Sequence, residues 1–553
     1  MQHVRLPHRR GGALLALLLA LLSVTSVTSV TSVAAAAPPG PRTRTPDGPV
    51  VGTDHGQVRG RSHGTYATYE GIPYAAPPTG PLRWRAPRPA RPWEGVRDAG
   101  APGPKCLQLP VFGTGPVTGS EDCLYLNVTT PAGHVQDRGR GRPVMVWVHG
   151  GGFVGGSGGE YNAGRMAARG DAVVVTVNYR LGALGFFGHP ELGDAPAFGL
   201  ADQQAALRWV QANAARFGGD PRNVTLFGES AGAISTCAQL TSPTAAGLFH
   251  KAVLQSGSCT TAFPRGAVVP GTPGSRFFAP QKTVQDAGAA AAARLGCPEG
   301  PGALDCLRGL SAEKLTTTEL SQTFSKPAYG NALLPAAPDR ALAAGRFHRV
   351  PVVQGTTSDE MRLFVGLGLG QYPLRDERAY RARLTESFGD AASAVEAEYP
   401  LGKYPTPALA WSAVLTDTTF ACSSYRANRA MAGRVPTYAY EFADRDAPVM
   451  EGIPVVPGFP YGASHAFELA YLFNDFPLQK PLSEAQVALS DRMTGYWTRF
   501  ARTGDPNAAG APHWPAFRDR APLALSLAPG ANGIRPVGFG AAHHCAFWER
   551  QQR

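Results

Sequence analysis

Val224-Thr-Leu-Phe-Gly-Glu-Ser230-Ala-Gly232 reads as a short apolar strand that runs through Gly-x-Ser-x-Gly into a helix. A serine hydroxyl is a poor nucleophile, so a chain that uses one must expose it beside a base. A tight strand-to-helix turn does so, and it requires small residues at 228 and 232, where two backbones pass close together. The pentapeptide by itself decides little. Its weight depends on whether the rest of the chain supplies a base, an orienting acid and donors for an oxyanion.

Outward from this stretch, near-continuous apolar runs stand at 143–149, 171–178, 252–255 and 350–354, with 224–227 as a fifth. Runs that do not alternate mark strands buried on both faces, as in a parallel sheet. Segment 200–217 is helical, with Leu207, Val210 and Ala214 on one face and a breaker at Gly218-Gly219. Strand and helix in alternation predict an α/β sheet with crossover helices. Residues 50–69 predict short strands broken by glycines, and 72–104 a Pro-rich irregular loop. The Ala-rich segments 280–345 and 375–435 predict helices that cover the site. No internal repeat stands out, and residues 50–553 are expected to form a single domain.

The 553 residues are 43% apolar and 17% charged, a globular rather than a disordered composition. Three of the eleven net positive charges are Arg5, Arg9 and Arg10, leaving +8 on the remainder of the chain. The other arginines are scattered, and no basic run is interleaved with aromatics, so no nucleic-acid partner is expected. Residues 1–36 predict a secretory signal: a positive start, an apolar stretch at 11–22, and Ala34–Ala37 as a small-residue cleavage region, with cleavage near Ala36. About 12 apolar residues fall short of the roughly 20 that a membrane span needs. Residues 37–49 form a Pro-rich linker. Export predicts that the eight cysteines are paired in disulfides. No Cys-x-x-Cys pair occurs and His544-Cys545 stands alone, so no metal site is expected.

His465 lies in Tyr461-Gly-Ala-Ser-His-Ala-Phe-Glu468-Leu, where small neighbours would let an imidazole approach a serine. On chemistry alone it leads His250, His348 and His189 modestly. Gln354-Gly-Thr-Thr-Ser-Asp-Glu360 follows a buried run, so Asp359 and Glu360 both lie where ligands gather in open α/β sheets. His149-Gly-Gly-Gly152, directly after a strand, can aim backbone N–H groups into a site, with the N–H of Ala231 completing the set.

With these residues in view, the chain resembles the type-B carboxylesterases, the family that includes cholinesterases, as a secreted bacterial-type member. The likeness runs from about Thr53 to Arg550. It includes Glu70-Gly-Ile-Pro-Tyr-Ala-Ala-Pro-Pro-Thr-Gly-Pro-Leu-Arg83, Ser120-Glu-Asp-Cys-Leu-Tyr-Leu-Asn127 and Asn178-Tyr-Arg-Leu-Gly182. It continues in Phe217-Gly-Gly-Asp-Pro221 and Trp497-Thr-Arg-Phe-Ala-Arg-Thr-Gly-Asp-Pro506. The resemblance implies an α/β-hydrolase fold with Ser230 as nucleophile, Glu360 rather than Asp359 as acid, and His465 as base. It implies Gly151, Gly152 and Ala231 as oxyanion donors, with Glu229 and Ser256 supporting the triad. It also implies the bridges Cys106–Cys123, Cys297–Cys306 and Cys422–Cys545. Cys237 and Cys259 remain, flanking the helix after the nucleophile and the next strand, and are expected to form a fourth.

Thr357 stands where many relatives carry Asn, and Met361 where Gly is usual, and neither change removes a catalytic group. The short loop between Cys106 and Cys123 has Phe112 as its only aromatic and no tryptophan, so choline specificity is not expected. The expected protein is a secreted serine ester hydrolase. It would act on a small-molecule ester with no cofactor, membrane anchor or obligate protein partner. The rival class is an adhesion protein on the same fold with a lost triad, which the intact residues disfavour.

Overall fold

The computed structural model describes residues 48–551, apart from 111–114, 134–140 and 196. The expected leader, its cleavage region, most of the linker and Phe112 lie outside the described residues. From Gly48 onward the chain belongs to one compact unit.

Eleven strands build the main sheet. They are β1 (Arg61–Ser62), β2 (Tyr66–Pro73), β3 (Tyr125–Pro131), β4 (Arg142–Val148), β5 (Val173–Val177) and β6 (Gly219–Glu229). The others are β7 (Lys251–Gln255), β8 (Val352–Thr357), β9 (Thr437–Phe442), β10 (Ala524–Leu527) and β11 (Arg535–Val537). Their spatial order is β11-β10-β9-β8-β7-β6-β4-β5-β3-β2-β1. From β10 to β5 all neighbours run parallel, and antiparallel pairs close both edges. Every residue of β4, β5, β7, β8, β9 and β10 is buried, because helices pack on both faces. The five apolar runs read from the sequence fall on β4, β5, β6, β7 and β8. Strands β3, β9 and β10 escaped that reading because they carry Thr, Tyr, Glu and Ser among their apolar residues.

Four helices matter for the site: α1 (Phe198–Asn213), α2 (Ala231–Thr241), α3 (Arg362–Gly368) and α4 (Glu484–Thr503). The expected helix at 200–217 is α1 followed by a 3-10 turn, stopped at Gly218 with φ +81°. Several shared motifs turn out to be tethers. Arg83 makes a bidentate pair with Glu121 at 2.7 Å for both contacts. Arg180 does the same with buried Asp202 on α1, at 2.8 and 2.7 Å. The Asn178 carboxamide accepts from the Gly158 N–H and donates to the Pro104 carbonyl. All four expected disulfides form, Cys237–Cys259 included. The topology delivers the C-terminal ends of β6, β7 and β8 to one edge, the position at which open α/β sheets bind ligands.

Candidate active site

Strand β6 ends at Glu229, and the chain turns into α2 through Ser230, whose backbone sits at φ +55°, ψ −120°. A side chain is rarely held there, and the surrounding packing explains why it is. A Cβ on Gly232 would lie 2.0 Å from the Val148 carbonyl oxygen, so the turn closes only with glycine. The expectation of small residues around the serine therefore has a direct steric cause.

The loop after β4 supplies donors. Gly151 sits at φ +93°, and a Cβ there would meet the Gly155 carbonyl oxygen at 2.2 Å. Among the described residues the N–H groups of Gly151, Gly152 and Ala231 donate to no acceptor. Ala231 also opens α2, so its N–H carries the positive end of the helix. His149 is fully buried, which lowers its pKa to about 4, and its neutral ring bonds to the Gly150 carbonyl at 2.8 Å.

The candidate base and the candidate acid are joined. His465 Nδ1 donates to Glu360 Oε2 at 2.5 Å, and Glu360 Oε1 accepts the Thr357 N–H at 2.8 Å. Asp359, the alternative acid, is committed elsewhere: it pairs with Arg362 at 2.8 Å and Arg445 at 3.2 Å. The three other candidate histidines make local contacts away from Ser230. His250 accepts from the Val224 N–H, His348 bonds to the Ser242 carbonyl, and His189 caps a turn at Glu191.

The serine half is not closed. Among the described residues Ser230 Oγ makes no hydrogen bond, and His465 Nε2 lies 3.1 Å from Glu229 Oε1. Contacts of this kind are often loose before substrate binds. Burial alone would lower the His465 pKa, but the carboxylates of Glu229 and Glu360 outweigh it and hold it at about 9. Burial raises Glu229 to about 8, against the pull of His465. As Glu229 takes up a proton, its hold on the imidazole weakens. Ser256, at the end of β7, is fully buried with φ +51° and an unpartnered hydroxyl.

Two groups were not read from the sequence. Glu468, three residues past His465, is fully buried and raised to about 7 by burial. Its Oε1 accepts from Gln255, whose own side-chain carbonyl oxygen accepts from Trp497 on α4. An acid inside an otherwise apolar helix turn was the available signal. The second group is aromatic: the rings of Phe364 and Phe420 each lie 5.0 Å from the His465 ring.

Ser230, His465, Glu229, Gly151 and Gly152 open on one cavity of about 750 Å³, walled chiefly by Tyr161, Phe263, Phe277, Phe364, Phe420 and Phe476. Lys105, Glu160 and Glu451 add charge to the lining. The helices expected to cover the site contribute less than the sequence suggested. Segment 280–345 adds no lining residue and 375–435 adds Phe420, because α3 and the loops around Phe263 and Glu451 take that place. A separate cavity of about 690 Å³ beside Trp84 and Arg308 shares none of the site residues. Among the described residues no group of three or more His, Cys, Asp and Glu side chains could hold a metal ion.

A doubly flanked parallel sheet with a serine on a strained strand-to-helix turn defines the α/β-hydrolase class. The family model described as "Carboxylesterase family" matches residues 47–548, and the chain belongs to that family. Para-nitrobenzyl esterase of Bacillus subtilis is 35% identical over 486 residues, covering 83% of this chain and 90% of that one. Fumonisin B1 esterase of Sphingopyxis macrogoltabida is 36% identical over 482 residues, covering 82% of each. Cocaine esterase of Oryctolagus cuniculus is 35% identical over 491 residues, covering 84% of this chain and 88% of that one. A solved PNB esterase structure matches with a TM-score of 0.72 at 32% identity, covering 90% of this chain and 99% of that one. The chain is accordingly a carboxylic ester hydrolase with the α/β-hydrolase fold.

Proposed function

We propose that the chain is a secreted serine carboxylesterase that works through an acyl-enzyme. Ser230 attacks the ester carbonyl while His465 takes its proton, and Glu360 orients the imidazole and stabilises its charge. The tetrahedral oxyanion sits on the N–H groups of Gly151, Gly152 and Ala231, donors fixed before charge develops. His465 then protonates the leaving alcohol, and water repeats the cycle on the acyl-enzyme. Glu229 and Ser256 border the triad and tune it. The reading calls for no cofactor.

The observation that carries it is the Glu360–His465 bond at 2.5 Å, with His465 and Ser230 lining the same apolar cavity. The lining suits a small-molecule ester with bulky apolar or aromatic groups. Four disulfides support export, and no helix among the described residues is long and apolar enough to cross a membrane. Purified protein should hydrolyse p-nitrophenyl acetate, and Ser230→Ala should lower kcat by about 10⁴-fold or more. Full activity in that variant would overturn the assignment and favour a binding role on the same fold.

A further inference from the structure

Behind the aromatic wall lies a second buried acid–histidine cluster that takes no part in the proposed ester chemistry. Helix Pro407–Leu415 gives way to a π-helix at Thr416–Ala421, and Cys422–Ala432 is α-helical again. Wide π turns are rare and concentrate at functional sites. They need support from outside the helix.

Here the support is visible. Asp417, inside the π-helix, faces His543 at 2.6 Å, and the other imidazole nitrogen of His543 faces Glu441 of β9, also at 2.6 Å. The second oxygen of Asp417 accepts from the Tyr399 hydroxyl at 2.7 Å, and that hydroxyl accepts from Trp548 at 2.8 Å. All three charged side chains are buried. Cys422, the first residue beyond the π-helix, is bridged to Cys545, two residues past His543. The C-terminal segment thus grips the π-helix by an ionic cluster and a covalent bond.

On its other side the same turn presents Phe420. Its ring lies 5.0 Å from His465, stacks on Phe364 at 6.5 Å and meets Phe263 edge-on at 6.0 Å. It lines the cavity, whereas Asp417, Glu441 and His543 do not.

We propose that the Asp417–His543–Glu441 cluster is a positioning device for the ester site, holding the π-helix so that Phe420 forms the wall that admits and orients bulky esters. This rests on Ser230 and His465 acting as nucleophile and base. His543 is the member that matters most, because without its cation two buried carboxylates would face each other and the turn would shift to part them. A small ester needs little of this wall. A large one depends on it.

The test uses the full protein with p-nitrophenyl acetate as the small ester and 1-naphthyl hexanoate as the large one. His543→Gln should lower kcat/KM for the large ester about tenfold, the scale of one lost aromatic contact, while the acetate changes by about twofold or less. Phe420→Ala should lower the large-to-small ratio by a similar factor, and the double variant should be no worse than Phe420→Ala alone, since both act through one ring. Equal losses on both esters, additive losses in the double variant, or an unchanged ratio would each overturn the proposal. If His543→Gln does not fold, Glu441→Gln, which keeps the Asp417 contact, is read by the same ratio and the same cycle. Loss of acetate hydrolysis in Ser230→Ala is the control for the site itself. Its failure would sink the esterase mechanism, whereas an unmoved ratio would sink only the positioning role.

Discussion

His465 is held between two carboxylates, and this gives the site its pH behaviour. In the proposed mechanism His465 must be neutral to accept the Ser230 proton, so the rate should fall as pH drops through its pKa. Glu229 and Glu360 raise that pKa towards about 9, against the opposing effect of burial. The acidic limb of kcat/KM should therefore lie above the ordinary imidazole value of about 6.5. Glu229→Gln removes one of the two charges and should move the limb down by on the order of one unit. A pH–rate profile of both proteins checks this, and a limb that stays in place would show that Glu229 does not act on His465. At this scale the sequence was informative. Ser230, the glycines and the two candidate acids could all be read from their neighbours. The choice of Glu360 over Asp359 rested on family resemblance, and its physical reason is that Arg362 and Arg445 occupy Asp359. Glu468 and Phe420 were missed because their roles depend on residues far away in the chain.

At the scale of elements, the shared motifs act as joints. Arg180 follows β5, and its bidentate pair with Asp202 fixes the start of α1 against the loop that leads away from the sheet. Both side chains are almost fully buried, at 4% and 0% exposed. Arg180→Ala would leave the Asp202 carboxylate buried without its partner, at a cost of about 3–5 kcal/mol. Thermal or urea denaturation should show that loss, while Asp202→Ala combined with Arg180→Ala should recover part of it. A single variant as stable as wild type would mean that solvent reaches Asp202. Continuous apolar runs revealed the central strands because burial on both faces leaves no room for alternation. Strand β9 escaped because its polar residues are satisfied by distant partners, Glu441 by His543 among them.

For the whole molecule, the disulfides differ in reach. Cys297–Cys306 spans 9 residues and Cys422–Cys545 spans 123. Loop-closure entropy predicts about 3 kcal/mol for the short bridge and about 5 kcal/mol for the long one. Cys422→Ala/Cys545→Ala should therefore inactivate faster on heating than Cys297→Ala/Cys306→Ala, as measured by residual esterase activity. Equal inactivation rates would show that the C-terminal segment is held by its other contacts. The even count of eight cysteines, and with it the expectation of disulfides, was plain in the sequence. The very different lengths of chain that the bridges close follow from the pairing, which residue order alone does not dictate.

The tight Gly-x-Ser-x-Gly turn, the glycine loop after β4 and the parallel core were legible in the sequence alone, because each depends on a local rule of sterics or burial. Only the tertiary structure decided the rest: the cavity lined by α3, the loops around Phe263 and Glu451 and, of the Ala-rich segments, Phe420 alone, with Glu229 at the imidazole edge and the His543 cluster behind the wall. Each of these is a contact between residues tens to hundreds of positions apart. No periodicity along the chain records such contacts, since they exist only once the sheet has brought its strand ends together.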